Sequence, residues 1–269
     1  MKIIVIGAHP DDCEFFAGAT ASMFVEHGHT VKFVSVTNGD AGHHNCPPEE
    51  LAEIRRREVE AADTLLGVEW EILDHHDGRL TPDLAVREEL IRIIREFKAD
   101  VVMSHRPWDY HPDHRNTAIL VQDTAYMVIV PNVCPDTPAL TVNPVYLYLY
   151  DECHDPIPFR PDVIVPVDDV FERKVAAFDL MPSQFYEWLP YTFGALSDVP
   201  GDHEERKVWL DDLLRDWMQN PFPKETMSRY GGDTDMIEAF QVCPFGRTPT
   251  ENELYEIFPF LPSGGIRLS

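Results

Sequence analysis

Two short motifs contain the residue types that hold a catalytic metal ion. The first is His9-Pro10-Asp11-Asp12 and the second is His111-Pro112-Asp113-His114. Imidazole nitrogens and carboxylate oxygens are zinc ligands, and a catalytic zinc keeps three protein ligands and one position for water. Zinc lowers the pKa of that water to ~7, while a nearby carboxylate takes its proton and a nearby imidazole assists the leaving group. The two motifs together therefore indicate a hydrolytic metal site.

The residues around these motifs predict alternating strands and helices. Strands are predicted at residues 2–6, 31–36, 69–73, 101–103 and 145–150, and helices at residues 14–27, 49–66, 84–97 and 116–130. This order predicts an α/β fold, with a parallel sheet that has helices on both faces. The first motif follows the first strand, and the second motif follows the fourth strand. Because ligands bind beyond the carboxyl ends of such strands, both motifs are expected at the functional edge.

The second half of the chain is less regular. Its predicted elements are one strand and two helices, at residues 162–167, 169–181 and 204–218. Proline is dense at residues 131–166 and 221–262, which predicts long loops. No linker is evident, so we expect a single domain over residues 1–269. Residues 1–150 would form its core, and the extension at 151–269 would cover the active-site edge and shape the pocket.

Aromatic residues are frequent in this extension. They include Phe185, Tyr186, Trp188, Phe258 and Phe260. Such side chains can cover a sheet, wall a pocket or form a subunit interface. We expect the protein to be a homo-oligomer.

The chain has a large excess of acidic residues. It contains 22 Lys+Arg and 47 Asp+Glu, which gives a formal charge of 22 − 47 = −25. Nucleic acids and anionic membranes repel such a surface, so neither is expected as a main partner. The charge is compatible with a neutral small molecule.

Several features of the sequence favour the cytoplasm. No apolar run reaches the ~18–20 residues that a membrane span requires. The chain starts directly with a buried strand, so no signal peptide is expected. The five cysteines form no CxxC pair and are predicted to be free thiols, namely Cys13, Cys46, Cys134, Cys153 and Cys243.

The two motifs lie among further short segments that follow a known pattern. Glu14 and Gly18 follow the first motif. The other matching segments are Thr37-Asn38-Gly39-Asp40-Ala41-Gly42, Arg55 with Glu58, Leu66-Gly67-Val68, Asp77-Gly78-Arg79-Leu80 and Glu238-Ala239-Phe240. Together they resemble the PIG-L/LmbE-like family of zinc-dependent N-deacetylases, whose sheet is Rossmann-like. Ala17 and Ala19 flank Gly18 where that family has a Gly-Gly pair, which affects helix packing more than chemistry.

The resemblance implies a role for each residue of the two motifs. The implied zinc ligands are His9, Asp12 and His114, although another divalent metal such as Fe²⁺ is an alternative. Asp11 would be the general base that activates water. His111 would stabilise the oxyanion or protonate the leaving amine, and Asp113 would hydrogen-bond to His111 and fix its tautomer.

The resemblance also implies a substrate and a residue that binds it. Members of the family hydrolyse the N-acetyl group of N-acetylglucosamine-type sugars and release acetate and a free amine. Arg55 is the implied substrate-binding residue, with a solvated helix face as the alternative for Arg55 and Glu58. The expected partner is therefore a small amino-sugar conjugate.

Each motif residue also has a simpler interpretation. Asp11 and Asp12 are common helix-capping residues, and His111, Asp113 and His114 can be ordinary loop residues. His105 is expected to support the site from the end of its strand. Of the remaining loop histidines, most are expected to be polar loop residues or pocket lining, namely His43, His44, His75 and His76.

Other functions compete with deacetylation. A dinucleotide-dependent oxidoreductase needs a glycine-rich first turn, and only Gly7 is present there. A non-catalytic metal- or sugar-binding module has no need of Asp11. A zinc amidohydrolase for a non-sugar N-acyl substrate remains an open alternative.

Overall fold

Seven strands form one sheet in the structure, which is a computed structural model that describes residues 1–230, 232, 234–262 and 264–268. The strands are β1 Lys2–Gly7, β2 Thr30–Thr37, β3 Glu69–His75, β4 Val101–Ser104, β5 Val145–Leu149, β6 Val163–Pro166 and β7 Ile237–Val242. Their order across the sheet is β3-β2-β1-β4-β5-β7-β6. The first five strands are parallel, which confirms the predicted α/β sheet.

The first three helices begin and end within two residues of the predicted positions. They are α1 Asp12–Glu26, α2 Pro48–Leu66, α3 Leu84–Phe97, α4 Pro112–Thr124, α5 Phe171–Asp179, α6 Leu189–Phe193, α7 His203–Trp217, α8 Lys224–Met227 and α9 Glu251–Ile257. A π-helical segment, Ser183–Trp188, precedes α6. Within the described ranges, no helix combines the length and the hydropathy needed to cross a membrane.

The far side of the sheet differs from the prediction, because the sheet is mixed. Strand β7 is antiparallel to both β5 and β6, and its segment was predicted to lie in a proline-rich loop region. The sequence of β7 places Glu238 among apolar residues, which obscures a strand pattern. Glu238 is nevertheless buried, because Lys174 Nζ lies 2.6 Å from its carboxylate.

Helix α4 begins earlier than predicted and ends earlier as well. His111 is its N-cap, and the main-chain N–H of Asp113 donates to His111 Nδ1 at 3.2 Å. Pro112 suits the first helical position, since the amide hydrogen that it lacks has no helical partner there. The prediction of a helix at residues 116–130 was therefore wrong at both ends, and Tyr126 with φ 67° stands beyond the true end.

Both faces of the parallel part of the sheet are buried. Ile3 and Val5 face a core that includes Phe24 of α1, whereas Ile4 and Ile6 face a second core that includes residues of α3. A strand covered on both faces has an apolar residue at nearly every position. This arrangement explains the continuous apolar run at the start of the chain.

Strand β1 lies at the point where the chain changes direction across the sheet. From β1 the chain passes through α1 to β2 on one side, and it later returns through α3 to β4 on the other side. The crevice at such a point, beyond the carboxyl ends of the strands, is where open α/β sheets bind ligands. The motifs after β1 and β4 therefore meet in this crevice.

The aromatic residues of the extension pack mainly inside the molecule. Phe185, Tyr186 and Phe258 are buried in the same core as α1, and Phe260 packs against Phe24 with ring centroids 5.4 Å apart. These residues cover the sheet. The expected homo-oligomer stays a prediction.

Two carboxyl groups face each other between α1 and α2. Glu14 and Asp63 are 2% and 0% exposed, and no cation contacts either group among the described residues. Burial and the neighbouring Glu14 raise the pKa of Asp63 well above its ordinary value. The folded state therefore keeps a proton that the unfolded chain releases above pH ~4. The free energy of unfolding falls as pH rises from this value toward the pKa of Asp63 in the folded protein.

Replacing Asp63 with Asn should reduce this pH dependence. Each pH unit over which only the folded state keeps the proton costs ~1.4 kcal/mol, and the neutral amide of Asn does not incur that cost. We expect the free energy of unfolding of D63N to fall less between pH 5 and pH 8 than that of the wild type, as measured in urea. E60Q alters an exposed residue on the same helix and serves as the control. An unchanged slope in D63N would show that Asp63 is ionised in the folded protein.

Candidate functional site

The two predicted motifs lie side by side at the switch point. His9 lies two residues after the end of β1, Asp12 begins α1, and His114 lies in the first turn of α4. Gly7 permits the tight turn between β1 and α1, since a Cβ at this position would lie 2.7 Å from Asp12 Cβ. The ends of two neighbouring strands thus bring together residues that are about a hundred positions apart.

The side chains of the three implied metal ligands lie close together. His9 Nδ1 lies 3.2 Å from His114 Nε2 and 3.5 Å from Asp12 Oδ2, and His114 Nε2 lies 3.3 Å from Asp12 Oδ1. Ligands at 2.0–2.1 Å from a tetrahedral zinc are separated by ~3.3–3.4 Å. The His9–His114 pair has about this separation, and Asp12 approaches the two histidines with different oxygens, Oδ2 toward His9 and Oδ1 toward His114.

Among the described residues, three sets bring single donor atoms within 4.8 Å of one another, and the implied set of His9, Asp12 and His114 is not one of them. The three sets are His9–His111–His114, Asp12–His105–His114 and His9–Asp77–Asp113. All of these sets share His9 or His114, so they form one centre rather than separate sites.

Asp12 is held as a carboxylate by its surroundings. Its Oδ2 accepts hydrogen bonds from the main-chain N–H groups of Ala8 and His9, both at 2.8 Å, and lies 3.1 Å from His105 Nε2. Burial acts to raise the pKa of Asp12, but His114 and His105 outweigh it and lower this pKa well below its ordinary value. His105 thus supports the site from the end of β4.

Asp109 orients His114 and was missed from the sequence. Its Oδ1 lies 3.0 Å from His114 Nδ1, which leaves Nε2 facing His9 and Asp12. A carboxylate on the far nitrogen of a ligating histidine fixes its orientation and raises its basicity. Burial opposes a charge on His114, yet Asp12 and Asp109 raise its pKa to about 9, so this position attracts cations. The position of Asp109 between β4 and the second motif is the only sequence signal for it.

Asp11 lies beside the donor atoms and is not part of a metal-binding set among the described residues. Burial, and then the neighbouring Asp12, raises the pKa of its carboxyl to about 6, while Arg55 and the nearby histidines oppose the shift. The side-chain amide of Gln184 donates to Asp11 Oδ2. Gln184 was missed because it lies in the π-helical segment, 173 positions along the chain.

Arg55 is 2% exposed and its Nη2 donates to the carbonyl of Gly42 at 3.0 Å. Burial lowers its pKa, although Asp11 opposes this shift. The Arg55 Nε is buried without a hydrogen-bond partner in the described part of the chain. A substrate contact for Arg55 stays a prediction.

Asp113 does not make the contact that the resemblance implied. Its carboxylate accepts the N–H of Gly78 at 2.6 Å and lies 3.4 Å from His9 Nε2, whereas the His111 ring accepts the Asp113 main-chain N–H. The predicted side-chain bond from Asp113 to His111 was wrong because the helix cap already occupies His111 Nδ1. That cap leaves the proton of a neutral His111 on Nε2. Asp77 Oδ1 also lies near His9 Nε2, at 3.2 Å.

The remaining loop histidines pair with acidic residues instead of joining the centre. His43 contacts Glu187, His75 contacts Glu89 and His76 contacts Asp40, at 2.8, 2.8 and 2.5 Å. His44 stacks on Tyr191 with ring centroids 4.2 Å apart. Such contacts are typical of the polar loop residues that the sequence predicts at these positions.

Comparison with known proteins identifies this arrangement. Residues 4–125 match the family described as PIG-L, GlcNAc-PI de-N-acetylase. Over this segment, which is 122 of the 269 residues, the chain is similar to a PIG-L domain. The relatives of the domain and its structural neighbours are mainly deacetylases, which are hydrolases of amide bonds.

Three similar proteins comprise two deacetylases and one hydratase. Diacetylchitobiose deacetylase of Thermococcus kodakarensis is 28% identical over 71% of this chain and 74% of its own. The structure of N,N'-diacetylchitobiose deacetylase from Pyrococcus horikoshii, solved with an inhibitor, is 27% identical with a TM-score of 0.71 and covers 94% of this chain and 88% of its own. The 4-oxalmesaconate hydratase of Pseudomonas putida is 26% identical over 83% of this chain and 90% of its own.

A cavity of about 440 Å³ lies beside the donor atoms. Its near wall includes Asp11, Asp12 and His114, which belong to the matched residues. Its far wall comes from the later part of the chain and includes Phe185 and Trp217. The predicted site residues thus come from the matched segment, whereas the extension contributes the opposite wall of the cavity.

Proposed function

We propose that this protein is a metal-dependent deacetylase that removes the N-acetyl group from an N-acetylglucosamine-type sugar or conjugate. The observation that carries the proposal is the cluster of His9, Asp12 and His114 side chains, all within 3.5 Å of one another, with Asp11 on the wall of the same cavity as Asp12 and His114. The deacetylase relatives support the same reaction. Two histidines and one carboxylate suit Zn²⁺, which we propose as the native metal, with Fe²⁺ as the alternative.

The residues of the site divide the proton transfers between them. When bound, a divalent ion polarises the amide carbonyl and lowers the pKa of a water molecule. Asp11 takes a proton from this water while the water oxygen forms a bond to the carbonyl carbon. His111, with a proton on Nε2, donates toward the developing oxyanion or the leaving nitrogen. The carbon–nitrogen bond breaks, the nitrogen gains a proton, and acetate and a free amine are released.

Asp77, Asp109 and Asp113 would position the histidines for this reaction. Asp109 contacts the far nitrogen of His114, and Asp77 and Asp113 contact His9 Nε2. These contacts keep the ligating nitrogens turned toward one point. In this proposal Asp113 acts through His9.

Hydration of an organic acid is the second candidate, because the hydratase relative covers 83% of this chain. A substrate with several carboxylates requires cations in its pocket. Apart from His114, which is a proposed metal ligand, Lys174 is the single basic residue among the described residues of the cavity wall, and it is buried in an ion pair with Glu238. The charge of the cavity therefore favours a neutral amide.

An amine-release screen combined with metal analysis tests the proposal. The purified protein is expected to contain about one divalent ion per chain and to release a primary amine from N-acetylglucosamine or its conjugates. Removal of the metal by a chelator should abolish this release, and zinc should restore it. Hydration of 4-oxalmesaconate without any amine release would overturn the assignment. Amine release from non-sugar N-acyl compounds alone would keep the chemistry and change the substrate.

We further propose that residues 1–269 act as one domain in the cytoplasm. The strands β6 and β7 of the extension belong to the same sheet as β1 to β5, which supports a single domain. All five cysteines are free thiols, as in proteins of reducing compartments.

A further inference from the structure

The cavity beside the donor atoms is lined by an unbroken series of rings. Phe16 lies against the imidazole of His114 with ring centroids 6.4 Å apart, and Phe15 lies 5.0 Å from Phe16. Trp217 of α7 continues the series, with its ring 5.3 Å from that of Phe15. The apolar wall therefore starts at a proposed metal ligand and leads away from it.

The extension completes this apolar wall. Its contributions are Phe185, Leu189 and Met218, together with Trp217. The cavity of about 440 Å³ is within the range of pockets for whole small molecules. An acetyl group needs only the space of about two water molecules, roughly 60 Å³. The cavity can thus hold much more than the group that is removed.

The charges around the cavity exclude anions. Its wall includes the carboxylates of Asp109, Asp151 and Glu152, and Asp151 is paired with the buried Arg106 at 2.6 Å. Lys174 Nζ lies 2.6 Å from Glu238, whose carboxylate also accepts the main-chain N–H groups of Ala19 and Thr20. Within the described residues, no lysine or arginine of the wall is free to bind a phosphate or carboxylate of a substrate at a distance from the proposed metal ligand His114.

We propose that this cavity is a subsite for an uncharged, apolar substituent of the amide substrate. The proposal rests on the proposed deacetylase function and adds a substrate class to it. The substituent is either the aglycone of an amino-sugar glycoside or a longer N-acyl chain, since both present the same apolar surface. Substrates with a phosphate or carboxylate at that position are rejected.

Binding of product analogues tests the subsite without catalysis. Phenyl β-D-glucosaminide, glucosamine and glucosamine 1-phosphate contain no amide, so calorimetry with the metal-loaded protein measures their binding alone. We expect the phenyl glycoside to bind about tenfold or more tightly than glucosamine, and the phosphate to bind more weakly than glucosamine. Initial rates with N-hexanoylglucosamine against N-acetylglucosamine then show whether the acyl chain is the apolar group. Equal binding of the phenyl glycoside and glucosamine, with no preference for hexanoyl, would overturn the proposal.

Two variants locate the subsite in the cavity. Trp217 is 41% exposed, so W217A should fold and should weaken binding of the preferred apolar ligand about tenfold. F245A removes a 57% exposed aromatic outside the cavity and should bind as the wild type does. M218R adds a cation to the wall and should improve binding of the phosphate. If W217A and M218R both bind all ligands like the wild type, the subsite is not in this cavity.

The two proposals fail in different ways. A protein that binds the phenyl glycoside but releases no amine from any substrate keeps the subsite and loses the deacetylase function. A protein that deacetylates free N-acetylglucosamine with no preference for apolar substituents keeps the function and loses the subsite.

Discussion

D11N is expected to lower the deacetylation rate by about 10²–10⁴-fold while metal content stays at the wild-type level. The carboxyl of Asp11 is the proposed proton acceptor, and an amide of the same shape cannot take a proton from water. Asp11 lies outside the three donor positions, and Gln184 can still donate to the remaining oxygen at this position. The prediction therefore separates proton transfer from metal binding.

The measurement needs two comparisons. D12N changes the neighbouring residue and should lose both the metal and the activity, because Asp12 supplies a donor oxygen. D123N alters an exposed carboxylate that is paired with Arg87 and should retain both. Kinetics and elemental analysis of the same preparations give the result. Full activity in D11N would remove Asp11 from the mechanism, and metal loss in D11N would place it among the ligands.

The residues that sequence reasoning found share one property. His9, Asp12 and His114 lie within three residues of a strand end or in the first turn of a helix, as parallel-sheet topology requires. The alternation of strands and helices fixes which ends meet, so close contact follows from the order of elements alone. The apolar run of β1 has the same origin, since a strand buried on both faces admits few polar residues.

The residues that sequence reasoning missed depend on tertiary packing. Gln184 reaches Asp11 through a π-helical segment, and no local pattern of this sequence predicts that geometry. Strand β7 was missed because Glu238 interrupts its apolar pattern, and Lys174, 64 positions away, makes this burial possible. The wrong partner for Asp113 has a similar cause, since the cap of α4 already uses His111 Nδ1.

H114A is expected to weaken zinc affinity by more than ~100-fold and to reduce activity to background. Mutation of a residue that hydrogen-bonds to a metal ligand typically lowers metal affinity 10–100-fold. Loss of a ligand itself should lower the affinity further. His114 Nε2 faces both other donors, at 3.2 and 3.3 Å, so its loss leaves only two of the three proposed ligands. The measurement is equilibrium dialysis against zinc, with H76A as a control for a histidine whose side chain is 66% exposed.

The same experiment distinguishes between the two arrangements that share His9 and His114. In the proposed site Asp12 is the third ligand, so D12N should lose zinc and H111A should keep it while turnover slows. In the alternative, His111 is the third ligand, so H111A should lose zinc and D12N should keep it. The main-chain hydrogen bonds that hold Asp12 Oδ2 leave its Oδ1 directed at His114, whereas the cap of α4 engages His111. These contacts favour Asp12, and zinc retention in D12N with zinc loss in H111A would reverse the assignment.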